Sequence, residues 1–161
     1  MQDKTRKESQ VMLPINTIVC PTDFSDPAYE GVKAATELAE HFQAELILVN
    51  VISPVPMASG AAPTGFHLPA IMKSMQDAAE KSMTNLIAQK VPKAVQTRSA
   101  VLQGKPADEI VKLADEKDAD MIVIATHGES GWQRFLFGSV TEKVIRTASR
   151  PILTVRQPQP K

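Results

Sequence analysis

One segment of this 161-residue chain, running from Ala125 to Ser139, combines residue types suited to holding an anion, and Asp23 offers a carboxylate acceptor apart from it. The apolar run MIVIA stops at Ala125, a glycine follows at 128, and after nine intervening residues Gly138-Ser139 precedes a new helical pattern. A glycine at a helix start has no side chain to block an incoming oxygen, and the first turn offers unpaired N–H groups with partial positive charge. Such a cradle suits a phosphate. Ser139 and Glu142 in S-V-T-E also read as a capping box. The Ser139 hydroxyl would cap the helix or touch the anion, and its lone pairs cannot fully do both. Gly128 either permits a turn or lets backbone donors approach a phosphate. Asp23 follows the first apolar run, where its carboxylate would accept from a ribose hydroxyl or adenine amine, or brace the turn Pro21–Asp26.

Other chemistry finds little support. No GxxxxGK[ST] occurs, and the first strand does not lead into GxGxxG, against a Walker loop or a standard dinucleotide site. His127 has no serine or cysteine nucleophile with an orienting carboxylate specified around it. Histidines 41, 67 and 127 do not make a zinc-ligand spacing. Trp132 and Phe135 would either cover a ligand or close the core, and Arg134 and Lys143 are candidate phosphate neighbours. No residue is assigned a catalytic role, and no metal ligand is expected.

Eighteen basic residues balance eighteen acidic ones, so nothing in the charge favours a nucleic-acid partner. Hydrophobic residues at 43% and charged ones at 22% describe an ordinary globule. The single cysteine, Cys20, lies in an apolar run and reads as a buried, inert thiol in a reducing compartment. Neither a signal peptide nor a membrane span is evident, and the expected location is the cytoplasm.

The elements that must position these residues follow from periodicity. Residues 1–14 form a polar tail, 15–156 one domain, and 157–161 a short C-terminal tail. Ile15–Cys20 reads as a strand ended by Pro21. Asp26 then serves as an N-cap carboxylate before Pro27, with Ala28, Val32, Ala35, Leu38, Ala39 and Phe42 at helical spacing. Glu45–Val51 is nearly all apolar, as in a strand buried on both sides. Residues 52–69 read as a long Pro- and Gly-rich loop, and Ile71 to about Lys90 as a helix with a broad methionine-rich stripe. Val95–Leu102 suits a peripheral strand, and Pro106 opens a helix with Asp108 and Glu109 in its first turn. Met121–Ala125, a helix from Ser139 to about Ser149, and the strand Pro151–Val155 complete the series. The result is an α/β, doubly wound, five-stranded and mainly parallel sheet of order 3-2-1-4-5 with helices on both faces. Its switch point lies between strands 1 and 4, where ligands tend to bind.

These segments resemble the universal stress protein family over roughly Ile15 to Val155. The resemblance rests on Pro21-Thr22-Asp23-Phe24-Ser25, on Val49-Asn50-Val51, on Gly104 in QGKPADEI, and on the pattern G-x-x-G, nine residues, then G-S. Here the last reads A-T-H-G-E-S-G-W-Q-R-F-L-F-G-S. Carried over from ATP-binding members, the resemblance implies that Asp23, with Pro21 and Thr22 beside it, meets the ribose or adenine edge. It implies that Val51 and Ile124 flank the base, and that Ala125 and His127 present mainly backbone. Gly128, Gly138, Ser139 and Val140, with Thr141 next to them, would hold the phosphates, and Mg²⁺ would neutralise these in place of a Walker lysine. It further implies a homodimer through Ile152–Val155 and a sensor or regulator in stress response, weak ATP hydrolysis having no convincing general base. Ala125 departs from the motif, standing where its first glycine would be. Its methyl group either presses on the adenosine or prevents a needed backbone angle, or, as the smallest replacement, is tolerated in ordinary β geometry. With Gly128, Gly138, Ser139 and Asp23 kept, the expectation is retained nucleotide binding. The alternative is a protein-interaction module of the same fold that binds no ATP, working through residues 52–69, its cleft filled by Trp132 or Phe135.

Overall fold

Apolar residues on both sides of the central strands dictate a sheet covered on both faces. The computed structural model describes residues 13–54, 68–126 and 138–156. Its elements are β1 (Thr17–Pro21), α1 (Asp26–Phe42), β2 (Glu45–Ile52), α2 (Leu68–Lys90), β3 (Thr97–Gln103), α3 (Pro106–Glu116), β4 (Met121–Ala125), α4 (Ser139–Thr147) and β5 (Ile152–Val155). The sheet order is β3-β2-β1-β4-β5 with every strand pair parallel. The order and fold class anticipated from the sequence hold, and the sheet proves parallel throughout.

Strand alternation divides the interior in two. Ile18, Cys20, Leu46, Leu48, Met121 and Val123 pack with Val32 and Ala35 of α1 and Met83 of α2. Val19, Ile47, Val49, Ile122 and Ile124 pack on the other face with Ile110 and Leu113 of α3 and Val144 of α4. Burying each of the larger side chains contributes about 1.5–3 kcal/mol, so the two clusters fix the register. At the lower edge, Asp120 Oδ2 accepts from the backbone N–H groups of Asn16 and Thr17 at 2.7 and 2.9 Å and sets where β1 begins.

Several local expectations need correction. Ser25, not Asp26, caps α1: Ser25 has extended backbone and its side chain accepts from Ala28 N, while Asp26 is already in the first turn. The helix α2 begins at Leu68, because a proline in a first turn sacrifices no helical hydrogen bond. Its methionine stripe is largely outside the core: Met83 is buried, but Met75 is 41% exposed. The strand β3 starts two residues late, since Val95 N closes a turn onto Pro92 O. The last helix stops at Thr147, after which Ser149 and Arg150 turn to Asp115 of α3 and hold its carboxyl below the usual range through hydrogen bonds and charge.

Cys20 is completely buried and its thiol is pushed up to about 12 by burial. It therefore stays neutral across the physiological range, and only the thiolate reacts. Native protein at pH 8 should resist a thiol-specific reagent for hours, while protein unfolded in guanidinium should be labelled once per chain within minutes, as intact mass will show.

Candidate functional site

The switch between β1 and β4 leaves two chain segments facing each other beyond the strand ends. On the β1 side, Thr22 N extends the ladder to Val49 O at 2.9 Å. The next residues then turn sharply. Phe24 adopts a left-handed φ of 65°, and its N–H donates to Thr22 Oγ1 at 3.0 Å. For a bulky side chain that conformation costs on the order of 1–3 kcal/mol and persists only when its surroundings enforce it. They do: the Asn50 side chain donates to Thr22 O at 2.8 Å, and Ser25 donates to Asp23 Oδ1 through both its N–H, at 3.1 Å, and its hydroxyl. Asp23 thus braces the turn, one of the two roles the sequence left open, and the same exposed residue lines the cavity described below.

On the β4 side, Gly138 N donates to Thr126 O at 2.7 Å, and the buried Thr141 hydroxyl donates to Ala125 O at 2.8 Å. These two bonds join the start of α4 to the end of β4. They also overturn the capping box expected of Ser139 and Glu142. The N-cap is Gly138, in extended geometry and with no side-chain cap; Ser139 is the first helical residue, and Glu142 reaches toward Arg146 instead at 3.9 Å. As cap residue, Gly138 has no side chain to accept from the first turn, and its own N–H is bonded to Thr126. The backbone N–H groups of Ser139, Val140 and Thr141 consequently have no partner among the described residues. Of the residues expected to hold phosphate, Gly138 contributes an unobstructed approach and not a donor.

Ala125 raised the question of its methyl group. The residue ends β4 in ordinary strand pairing with Val155 and has no positive φ. Its neighbour Ile124 belongs to the α3/α4 cluster, so alternation turns Ala125 to the α1 face. There it meets Gly31: a Cβ on Gly31 would lie 3.1 Å from Ala125 N and 3.5 Å from Ala125 Cβ. The missing side chain on α1 makes room for the methyl on β4, and no special backbone angle is needed.

A cavity of about 380 Å³ opens between the two segments, within the range of small-molecule sites. Pro21, Thr22, Asp23, Val51, Ile124, Ala125, Gly138, Ser139, Val140 and Thr141, all picked out from the sequence, line it. His127 and Gly128 lie outside the described residues, as do Trp132, Arg134 and Phe135. Lys143, a candidate phosphate neighbour, forms an ion pair with Asp108 of α3 at 2.6 Å. The sequence reading missed Ala28, Val49, Asn50, Ser53, Pro106 and Ile110. Pro106 and Ile110 come from α3, which the strand order alone places beside this end of the sheet. Asn50 carried a signal, being the polar residue interrupting the apolar ELILVNVI strand. Among the described residues, no group of three or more His, Cys, Asp or Glu side chains could hold a metal ion, and no helix is long and apolar enough to cross a membrane.

A parallel α/β sheet wound in both directions from a central switch point, with a cleft at that point, defines the doubly wound class of folds. Within that class, the sequence model of the universal stress protein family matches residues 14–156, and the chain belongs to that family. It is 34% identical over 142 residues to universal stress protein MJ0531 of Methanocaldococcus jannaschii, covering 88% of this chain and 82% of that protein. The solved structure of MJ0577, from the same organism, superposes with a TM-score of 0.76 at 27% identity, covering 93% of this chain and 100% of the other. A universal stress protein crystallised in complex with cAMP superposes with a TM-score of 0.58 at 26% identity, covering 88% and 97% of the two chains.

The Gly31–Ala125 contact makes a direct prediction. Gly31→Ala gains about 1 kcal/mol of helix propensity, but forces a methyl against the backbone of β4, and overpacking typically costs about 1–3 kcal/mol. Net destabilisation of about 1 kcal/mol is expected in urea unfolding, whereas a gain in stability would show that α1 does not press on β4 here.

Proposed function

We propose that the chain binds an adenine nucleotide in this cavity and acts as a cytoplasmic sensor or regulator in stress response. The observation that carries the reading is the uncapped start of α4: three N–H donors, from Ser139, Val140 and Thr141, at one side of a cavity that Asp23 lines from the other. The donors suit phosphate oxygens. Asp23, flanked by Pro21 and Thr22, suits a ribose hydroxyl or the adenine edge, and Val51 and Ile124 suit the faces of a base. Ala125 borders the site while its methyl rests on Gly31. His127 and Gly128 belong to the same proposed site. The cAMP complex of a family member supports an adenine nucleotide as the ligand class. ATP would bring Mg²⁺ on its own phosphate oxygens and waters, as that ion is commonly held.

Proline at a first helical position removes one N–H without disturbing the helix, and Gly138 already has the extended conformation that a following proline demands. A hydrogen bond to a charged group is worth about 1.5–3 kcal/mol. Ser139→Pro should therefore weaken ATP binding, measured calorimetrically with Mg²⁺, by about tenfold or more. Ser139→Ala, which keeps the N–H, should change it by less than about threefold, a single modest hydroxyl contact. Equal affinities for wild type and Ser139→Pro would remove α4 from the site, and no binding by wild type would overturn the proposal.

We also propose a homodimer through β5. This strand forms one edge of the sheet, carries no charge, and leaves Leu153 38% exposed, an edge that invites pairing. Pro151 O and Val155 O accept from Ile122 N and Thr126 N, so the alternate residues Ile152 and Thr154 turn their backbone groups outward. Thr154→Pro spares the ladder to β4 while blocking an outer partner. Sedimentation should show wild type as a dimer and Thr154→Pro as a monomer; a dimer in both would place the interface elsewhere.

A further inference from the structure

We infer that Asn50 is a positioning residue for nucleoside binding: from β2 it holds the turn that carries Asp23, and so sets affinity through Asp23. This rests on the proposed nucleotide site. Register pairing between β1 and β2 ends at Pro21 and Val49, after which Thr22 N makes one more ladder bond, to Val49 O. The Thr22 carbonyl does not continue the ladder. It accepts instead from Asn50 Nδ2 at 2.8 Å, so a side chain substitutes for the backbone donor and the chain is released into a turn.

An amide in this place is costly unless it is hydrogen-bonded, for it interrupts an apolar strand paired on both sides. The bond to Thr22 meets that need, and Asn50 couples two segments 28 positions apart in the chain. Asp23 directly follows the residue so held. Phe24, next again, sits at the strained φ of 65° and is secured through the hydroxyl of the same Thr22. Thr22 is thus gripped at three atoms, its N–H by Val49, its carbonyl by Asn50 and its hydroxyl by Phe24. Among these partners only Asn50 acts through a side chain, which makes it the contact that substitution can remove selectively.

Without that contact, Phe24 can relax toward an unstrained φ and Asp23 leaves its present position for part of the time. Apparent affinity falls with the fraction of molecules in the competent arrangement. If that fraction drops to about one tenth, the dissociation constant rises about tenfold.

The test is a double-mutant cycle on AMP binding by calorimetry, with wild type, Asn50→Ala, Asp23→Ala and the double variant. Asn50→Asp, nearly isosteric but with an acceptor in place of the donor, accompanies it as a variant that preserves packing volume. Asn50→Ala and Asn50→Asp should each weaken AMP binding about tenfold, while Asn50→Ala in the Asp23→Ala background should cost less than about twofold. A general loss of structure would not depend on Asp23. Affinities for both Asn50 variants within twofold of wild type would overturn the inference alone, as would an equal loss with and without Asp23. Failure of wild type to bind AMP would overturn the nucleotide reading, and this inference with it.

Discussion

Everything at the site depends on the parallel pairing of β1 with β4 at the centre of the sheet. The register Ile18 with Met121 and Val19 with Ile122 joins strands about a hundred residues apart in the chain. It does so where the winding reverses, so the segments leaving the two strands diverge and leave a gap between them. The pairing is short. Its strength comes from the fully buried Ile18, Val19, Ile122 and Val123 packed into the helices on either side, and from Asp120 clamping the start of β1.

From this pairing the two walls of the cavity inherit different kinds of rigidity. The β1 wall is a strained turn held by side chains: Asn50 from the next strand, Thr22 and Asp23 from within, and Ser25 as both brace and cap of α1. The β4 wall is a helix start pinned by Thr126 and Thr141. Gly138 at the cap position has no side chain to take up the first-turn N–H groups, which is the condition for offering them to an anion. Polar residues that would be liabilities in a core, such as the buried Thr141, are satisfied by these bonds, and no buried side-chain polar atom lacks a partner among the described residues.

The pair Gly31 and Ala125 shows how packing changes the meaning of a motif. Read along the chain, an alanine where a glycine is expected threatens the ligand side of the strand. In the fold the same methyl occupies space left by a glycine on α1, and the strand end keeps ordinary geometry. The departure from the motif is, locally, an exchange of side-chain volume between two elements.

Hydrophobic periodicity and turn chemistry were enough to read the five strands and the four helices, and the doubly wound order expected of such an alternation pointed to the edge at which a cleft would open. Those features follow from burial, which repeats every two or 3.6 residues and is visible in one dimension. Asp23, Gly138 and Ser139 were legible from their places at a strand end and a helix start, whereas Val51, Ile124, Val140 and Thr141 entered as site residues through the family resemblance. Caps and contacts were not legible. Whether Ser25 or Asp26 caps α1, and whether Gly138 or Ser139 caps α4, turns on which backbone groups are already taken by distant partners such as Thr126. The contributions of Ile110, Pro106 and Asn50, and the room Gly31 makes for Ala125, depend on contacts between segments far apart in sequence. The sequence by itself determined which surfaces must be buried, and hence the fold. Only the tertiary structure decided which polar groups were left over for chemistry, because hydrogen bonds are allotted by distance in space and not along the chain.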